Sequence, residues 1–200
     1  TYPKIAGTSV ARDFVELPSQ LYEHWLEAPE VLGKFAVHYK TNEPMPKDLL
    51  DRLIAARNFN QGFATVEYVS SALVDLEMHL ITDAENLDVT AFEADVLEKI
   101  DMPEAISMRH RVPHFAHAFA GDGYSAGYYS YLWSEVMDAD AFSAFEETGN
   151  IFDPETARKL ATHIYSAGGK LDEADAYTAF RGRMPTIDAL LEKRGLKDAA

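Results

Sequence analysis

From Lys47 to about Ile81 the chain runs through LLDRLIAARNFNQGFATVEYVSSALVDLEMHL, where apolar residues return every three or four positions. That period belongs to helices buried along one side, and the stretch is far too long for a strand. A break is expected near Asn58–Gly62, which carries two asparagines and a glycine. The same habit recurs elsewhere, with short breakers between and little two-residue alternation. Phe14, Leu17, Leu21 and Trp25 share one side of a helix expected over 12–27, while Arg12, Asp13, Glu16, Ser19 and Gln20 lie on another. Pro18 should kink that helix. Pro29 suits the first turn of a helix over 29–39, and TNEPMP (41–46) reads as a loop. Further helices are expected over 90–100 and 124–147, and from the Asp153-Pro154 cap to about Ala167, where Gly168-Gly169 ends it. Two short ones follow over 172–181 and 185–194. RHRVPHFAHAFAGDG reads as irregular or locally extended. The expected fold class is all-α and multi-helical, with at most a short strand-like piece near residues 114–119 and no mark of an internal domain boundary.

Composition narrows the partners. Hydrophobic residues make up 47% of the chain and charged ones 26%, which suits a chain with a real core. The 33 acidic against 18 basic residues give a net charge of -15, which repels phosphate backbones and argues against nucleic-acid and anionic-membrane partners. Cysteine is absent, so disulfides, thiolate metal sites and a cysteine nucleophile are excluded. No stretch approaches the ~20 apolar residues of a membrane-spanning helix. The start, TYPKIAGTSVARDF, has no Met and no secretory layout, and is expected to continue a longer chain.

Several residues could carry chemistry. In GDGYSAGYYSYLWSEV, a helix would put Tyr124, Tyr128 and Tyr131 at i, i+4 and i+7, on one stripe. Buried phenols need hydrogen-bond partners, so such a stripe reads either as a tyrosine-rich core satisfied by backbone or as the wall of a polar cleft. Gly121-Asp122-Gly123 gives a flexible approach whose backbone N–H groups can meet a carbonyl or anionic oxygen. His110, His114 and His117 are spaced like metal ligands on a helix, but Pro113 lies among them. In an extended run His117 would instead stand between Phe115 and Phe119. Glu16 reads as a solvated carboxylate beside Arg12. Arg181 and Arg183 can anchor a peptide carboxylate or pair with carboxylates near the chain's end. HExxH occurs nowhere, so a self-sufficient zinc-peptidase site is not expected, and no GxSxG nucleophile elbow, hence no serine-hydrolase site, is expected either.

GTSVARDFVELPSQLYEHW, the HYKTNEPMP loop, HAFAGDGYSAGYYSYLWSEV and FRGRMPTIDALLEKRG, taken together and in order, resemble the thimet-oligopeptidase family of zinc peptidases. Within it the likeness is greatest to bacterial peptidyl-dipeptidases, with the oligopeptidase A group next. The resemblance implies that residues 1–200 are the C-terminal part of a metallopeptidase catalytic domain whose HExxH helix lies before Thr1. It implies that Glu16, in Asp13-Phe14-Val15-Glu16, is the third zinc ligand. It implies further that Tyr124 and Tyr131 donate to the tetrahedral oxyanion, that His117 donates to substrate backbone, and that Tyr128, Gly121 and Gly123 line the substrate site. Carboxylate and phenols are then expected to serve a single cavity. Zinc is the implied cofactor, held only weakly by this chain alone, and the 200 residues by themselves are expected to be silent. The implied partners are short peptides, cleaved to release C-terminal dipeptides, and the missing N-terminal part of the same protein. The implied location is cytoplasmic. A competing reading is a non-catalytic all-α interaction module that keeps the peptidase scaffold; a third is a helical metal binder using His110, His114 and His117.

Overall fold

Proline and capping residues decide where the helices start. In the computed structural model, which describes residues 2–197, α1 spans Leu17–Leu26 and α2 spans Pro29–Phe35, both with a proline in the first turn. Pro18 therefore does not kink a longer helix. It falls where a missing N–H costs nothing, and residues 12–16 form turns ahead of it. α3 (Lys47–Ala56) and α4 (Gln61–His79) are separated by Asn60, whose φ of 57° ends the first periodic run where the sequence placed a break. α5 (Val89–Lys99) is capped by Asp88, which accepts from the amides of Thr90 and Ala91. α6 (Ala116–Phe119), α7 (Ser130–Glu146), α8 (Pro154–Leu160), α9 (Glu173–Arg181) and α10 (Asp188–Lys193) complete the set. Asp153 caps α8 by accepting from Thr156 N. The described chain contains no sheet, only an isolated antiparallel bridge from Val37 to Pro44 that closes the 38–43 loop. The fold is all-α. No helix among the described residues is long and apolar enough to cross a membrane.

Two corrections concern the middle of the chain. The strand-like piece expected near 114–119 is absent: Val112–His114 is a 3-10 turn opened by Pro113, and Ala116–Phe119 is a short α-helix. The helix expected over 124–147 begins only at Ser130.

Backbone contacts gather the chain into two compact units, although the sequence offers no boundary marker. One takes in residues up to Phe59 and from Leu132 onward; the other is Asn60–Tyr131. The first is built on Leu17 and Leu21 of α1, fully buried with Phe14, Met137, Ala141, Phe145, Leu160, Ile164, Tyr177 and Phe180. Each of the large aliphatic and phenyl side chains among them contributes roughly 1.5–3 kcal/mol of burial. Trp25 meets Phe142 and Phe145 edge-on, with ring centres 5.0 Å from each, and its indole donates to the Ile151 carbonyl at 2.8 Å. The 3-10 turn Pro3–Ile5 and the residues after it lie against Gly168 and Gly169. A Cβ on Gly169 would come within 2.1 Å of the Ser9 carbonyl oxygen, and one on Gly168 within 2.3 Å of that of Ile5. Only glycine admits this approach.

The second unit has two small cores. Val74, Val96 and Met108 join α4 to α5, and Ala72, Phe115, Ala118 and Tyr128 form the other, flanked by Tyr68, Phe119 and Tyr131.

Candidate functional site

Glu16 belongs to the first unit and sits immediately before the first helical residue of α1. Its neighbours hold it there. Phe14 and Leu17 are buried on either side, and Ser134 Oγ donates to the Asp13 carbonyl at 2.8 Å. The half-buried carboxylate accepts from Ser19 Oγ at 2.8 Å. That is a defined, solvent-reachable anionic oxygen, and its first partner is Ser19. Among the described residues no three His, Cys, Asp or Glu side chains gather so as to hold a metal ion. Glu16 is therefore not part of any such group. His110, His114 and His117 are likewise not gathered into such a group.

In the second unit, the segment carrying the histidines hangs on α4 and α5. Arg109 N donates to the Glu67 carbonyl at 3.2 Å, and His110 N donates to Ser71 Oγ at 3.2 Å. Buried Glu93 accepts from Arg111 Nε at 2.6 Å and from Val112 N at 3.0 Å. His110 stacks on Phe115, with ring centres 4.8 Å apart, and is spent on packing. His114 is exposed. His117, on α6, is exposed and shares a hydrogen bond with Tyr131, Nε2 to Oη at 2.8 Å. The Tyr124 ring lies 4.1 Å from the His117 ring, and Tyr128 is 6.3 Å from it and 5.9 Å from Tyr131.

The four side chains do come together, but not for the reason the spacing suggested. Tyr124 and Tyr128 are outside α7. Tyr124 ends a 3-10 turn, Ser125 is extended, Ala126 takes a left-handed φ of 52°, and Gly127 N returns to the Tyr124 carbonyl at 3.0 Å. This is a type II turn, with an alanine where glycine is favoured. A Cβ on Gly127 would press within 3.0 Å of the Tyr124 oxygen. Gly121 and Gly123, by contrast, are exposed, with open space where a side chain would project; the glycine that the geometry demands is the one the sequence reading passed over.

Residues 123–127 also spell GxSxG, the pattern of a nucleophile elbow, against the expectation that no serine-hydrolase motif is present. An elbow needs a strand leading into a helix with the serine on a strained turn. Here no strand precedes, and the strained residue is Ala126 rather than Ser125. The match carries no hydrolase site.

Tyr124 is 40% exposed and Tyr128 only 8%. Burial pushes the Tyr128 phenol above its ordinary pKa, against the opposing pull of the Arg109 guanidinium. It therefore stays protonated across the neutral range, as a donor or packing group. The imidazole and the phenols present ring N–H and O–H groups side by side. Such a set suits hydrogen-bonding a peptide backbone, or a carbonyl oxygen as it gains negative charge.

The model of Peptidase family M3 matches residues 1–196. The chain belongs to that family. Similar relatives include Oligopeptidase A of Escherichia coli (strain K12), 41% identical over 196 residues, 96% of this chain and 28% of that protein. Dipeptidyl carboxypeptidase of Salmonella typhimurium (strain LT2) is 38% identical over 198 residues, 98% of this chain and 29% of that protein. That of Escherichia coli (strain K12) is 39% identical over 198 residues, again 98% of this chain and 29% of the protein. The chain thus spans less than a third of the length of these relatives. Membership in a peptidase family bears out the resemblance read from GTSVARDFVELPSQ, HAFAGDGYSAGYYSYLWSEV and FRGRMP.

Sequence reasoning missed Tyr68, Asp75 and His79, all on α4. Their signal was present as a Tyr, an Asp and a His at positions 68, 75 and 79 of one periodic run. Nothing local marks them as partners of a turn fifty residues later.

Arg181 and Arg183 pair with carboxylates, as one of the two sequence readings had it, but their partners are Asp140 of α7 and Glu147 just beyond its end rather than residues near the chain's end.

Proposed function

We propose that these residues form part of a cytoplasmic zinc-dependent peptidase that hydrolyses short peptides and releases C-terminal dipeptides. The observation that carries the reading is the hydrogen bond between His117 Nε2 and Tyr131 Oη, with the Tyr124 ring against the same imidazole. In this reading Tyr124 and Tyr131 donate to the carbonyl oxygen as it becomes an oxyanion, His117 donates to the peptide backbone, and Tyr128 with Gly121 and Gly123 lines the substrate's path. Glu16 contributes one carboxylate to the zinc, whose other ligands come from outside these 200 residues. Zinc, when bound, supplies a Lewis acid and an acidified water. The chain alone is then inactive. Membership in a peptidase family supports the hydrolytic part; the dipeptide product is supported by likeness to proteins named dipeptidyl carboxypeptidase.

The test is Tyr131→Phe in the full-length protein, assayed on an internally quenched peptide. Removing one oxyanion donor costs on the order of 10²–10³ in kcat, with KM little changed. A kcat within about twofold of wild type would remove Tyr131 from the chemistry. In parallel, Glu16→Ala should lower the zinc content of the purified protein, read by elemental analysis.

A further inference from the structure

The turn that places Tyr124 and Tyr128 cannot hold its shape by local preference, because it puts an alanine at φ 52°. A left-handed alanine costs roughly 1–2 kcal/mol, so something outside the turn holds it. α4 supplies three contacts. Asp75 is fully buried, and its Oδ2 accepts from Tyr128 N at 2.9 Å. Tyr68 Oη donates to the Tyr128 carbonyl, so both polar groups of the Tyr128 backbone end on α4 side chains. His79 Nδ1 lies 3.2 Å from Ala126 N, 2.9 Å from Asp75 Oδ1 and 2.8 Å from the Asp75 carbonyl. With its proton on Nδ1 the ring serves Asp75; with Nδ1 bare it accepts from Ala126. The ring is set by a parallel stack on Phe119, with centres 5.2 Å apart and planes inclined by 4°.

A fully buried carboxylate is costly unless its oxygens are used; here Oδ2 takes the Tyr128 amide, between two of the phenols, and Oδ1 makes no hydrogen bond, with only His79 Nδ1 near it at 2.9 Å. We propose that Asp75, with His79 and Tyr68, is a positioning element of the peptidase site: it fixes the 124–128 turn so that the Tyr124 and Tyr131 phenols meet the substrate oxygen in register. The inference rests on the function assigned above to those phenols, and goes beyond it by naming residues that never touch substrate.

The experiment is a double-mutant cycle in the full-length protein, measuring kcat and KM on a quenched peptide for Asp75→Leu, Tyr131→Phe and the pair. Misplacing a reacting group by about an ångström costs up to roughly a hundredfold, so Asp75→Leu should lower kcat about ten- to a hundredfold, with KM within about threefold. In the Tyr131→Phe background the same change should lower kcat by clearly less than it does in wild type, because one of the two phenols it brings into register is gone. Asp75→Asn keeps an acceptor oxygen for the Tyr128 amide and should restore most of kcat. Should Asp75→Leu fail to fold, His79→Phe, which keeps the ring on Phe119 but loses the nitrogen facing Ala126, takes its place in the same cycle. Fully additive effects, or an Asp75→Asn as slow as Asp75→Leu, overturn the positioning role while leaving the phenols' role intact. A Tyr131→Phe protein with unchanged kcat overturns the functional reading itself, and the positioning role with it.

Discussion

Replacing Asp140 by asparagine isolates the charge that ties the FRGR segment to α7. The Asp140 carboxylate is 2% exposed and takes three donors: the Tyr177 hydroxyl at 2.8 Å, Arg181 Nε at 3.2 Å and Arg183 Nη2 at 2.5 Å. Their losses are unequal. The Tyr177 hydroxyl has a second acceptor, the Met137 carbonyl at 3.0 Å, so it is not orphaned. Arg183 is 46% exposed and can return to water, which limits its share to under about 1 kcal/mol. Arg181 is only 8% exposed; it keeps Glu147, Ser143 Oγ at 3.3 Å and the Asp140 carbonyl at 3.1 Å, but loses its buried anion. Removing one partner of a buried pair costs about 3–5 kcal/mol when the other is stranded. With those partners left to Arg181, a single charge-assisted bond of about 1.5–3 kcal/mol is the better measure. Asp140→Asn should therefore destabilise the protein by about 2–3 kcal/mol, read as a lower urea midpoint by far-ultraviolet circular dichroism. Tyr177→Phe should cost less, and the two changes together less than their sum, since they share a bond. A loss below about 1 kcal/mol for Asp140→Asn would mean that the carboxylate's burial cost nearly cancels its bonds, and the reasoning fails.

Gly169→Ala should destabilise by about 1–3 kcal/mol, the usual cost of overpacking, because the new methyl meets the Ser9 carbonyl at 2.1 Å and that of Lys4 at 2.9 Å; an unchanged urea midpoint would show that residues 4–9 yield freely. The Tyr177 phenol is held above its ordinary pKa by burial and then by Asp140, so its protonated form is the one the fold favours. That contribution is fully present below the unfolded value near ~10 and is lost as pH rises toward the folded one, so the urea midpoint should fall above about pH 10. Tyr177→Phe should flatten that alkaline fall, and an unaltered slope would refute the assignment.

What the sequence made legible was whatever local chemistry decides. Asp153-Pro154, Pro29 and the break around Asn60 act within a turn of their own positions, and each falls where it was expected. Pro18 was misjudged because the polar residues ahead of it extend a helical pattern on paper. In the fold that stretch is taken by distant partners: Ala11 N donates to Glu173 Oε1 at 2.7 Å and Ser134 holds the Asp13 carbonyl. The tyrosine cluster was anticipated with the right members and the wrong geometry. Spacing of four and three residues fits a helix equally well whether or not the helix forms, and here Asp75, fifty-three residues upstream, claims the Tyr128 amide that a continuous helix would have used. Partners that remote leave no periodic trace.

Because α4 grips the turn at Ala126 and Tyr128, the tether lies downstream of Tyr124, while Gly121 and Gly123 stand in open space. The stretch between Phe119 and Tyr124 lies upstream of that tether and is held by short-range bonds, Ala120 N to the Ala116 carbonyl at 2.9 Å and Ser125 N to the Asp122 carbonyl at 3.4 Å. The register of residues 126–128 is thus inherited from a helix laid down fifty residues before.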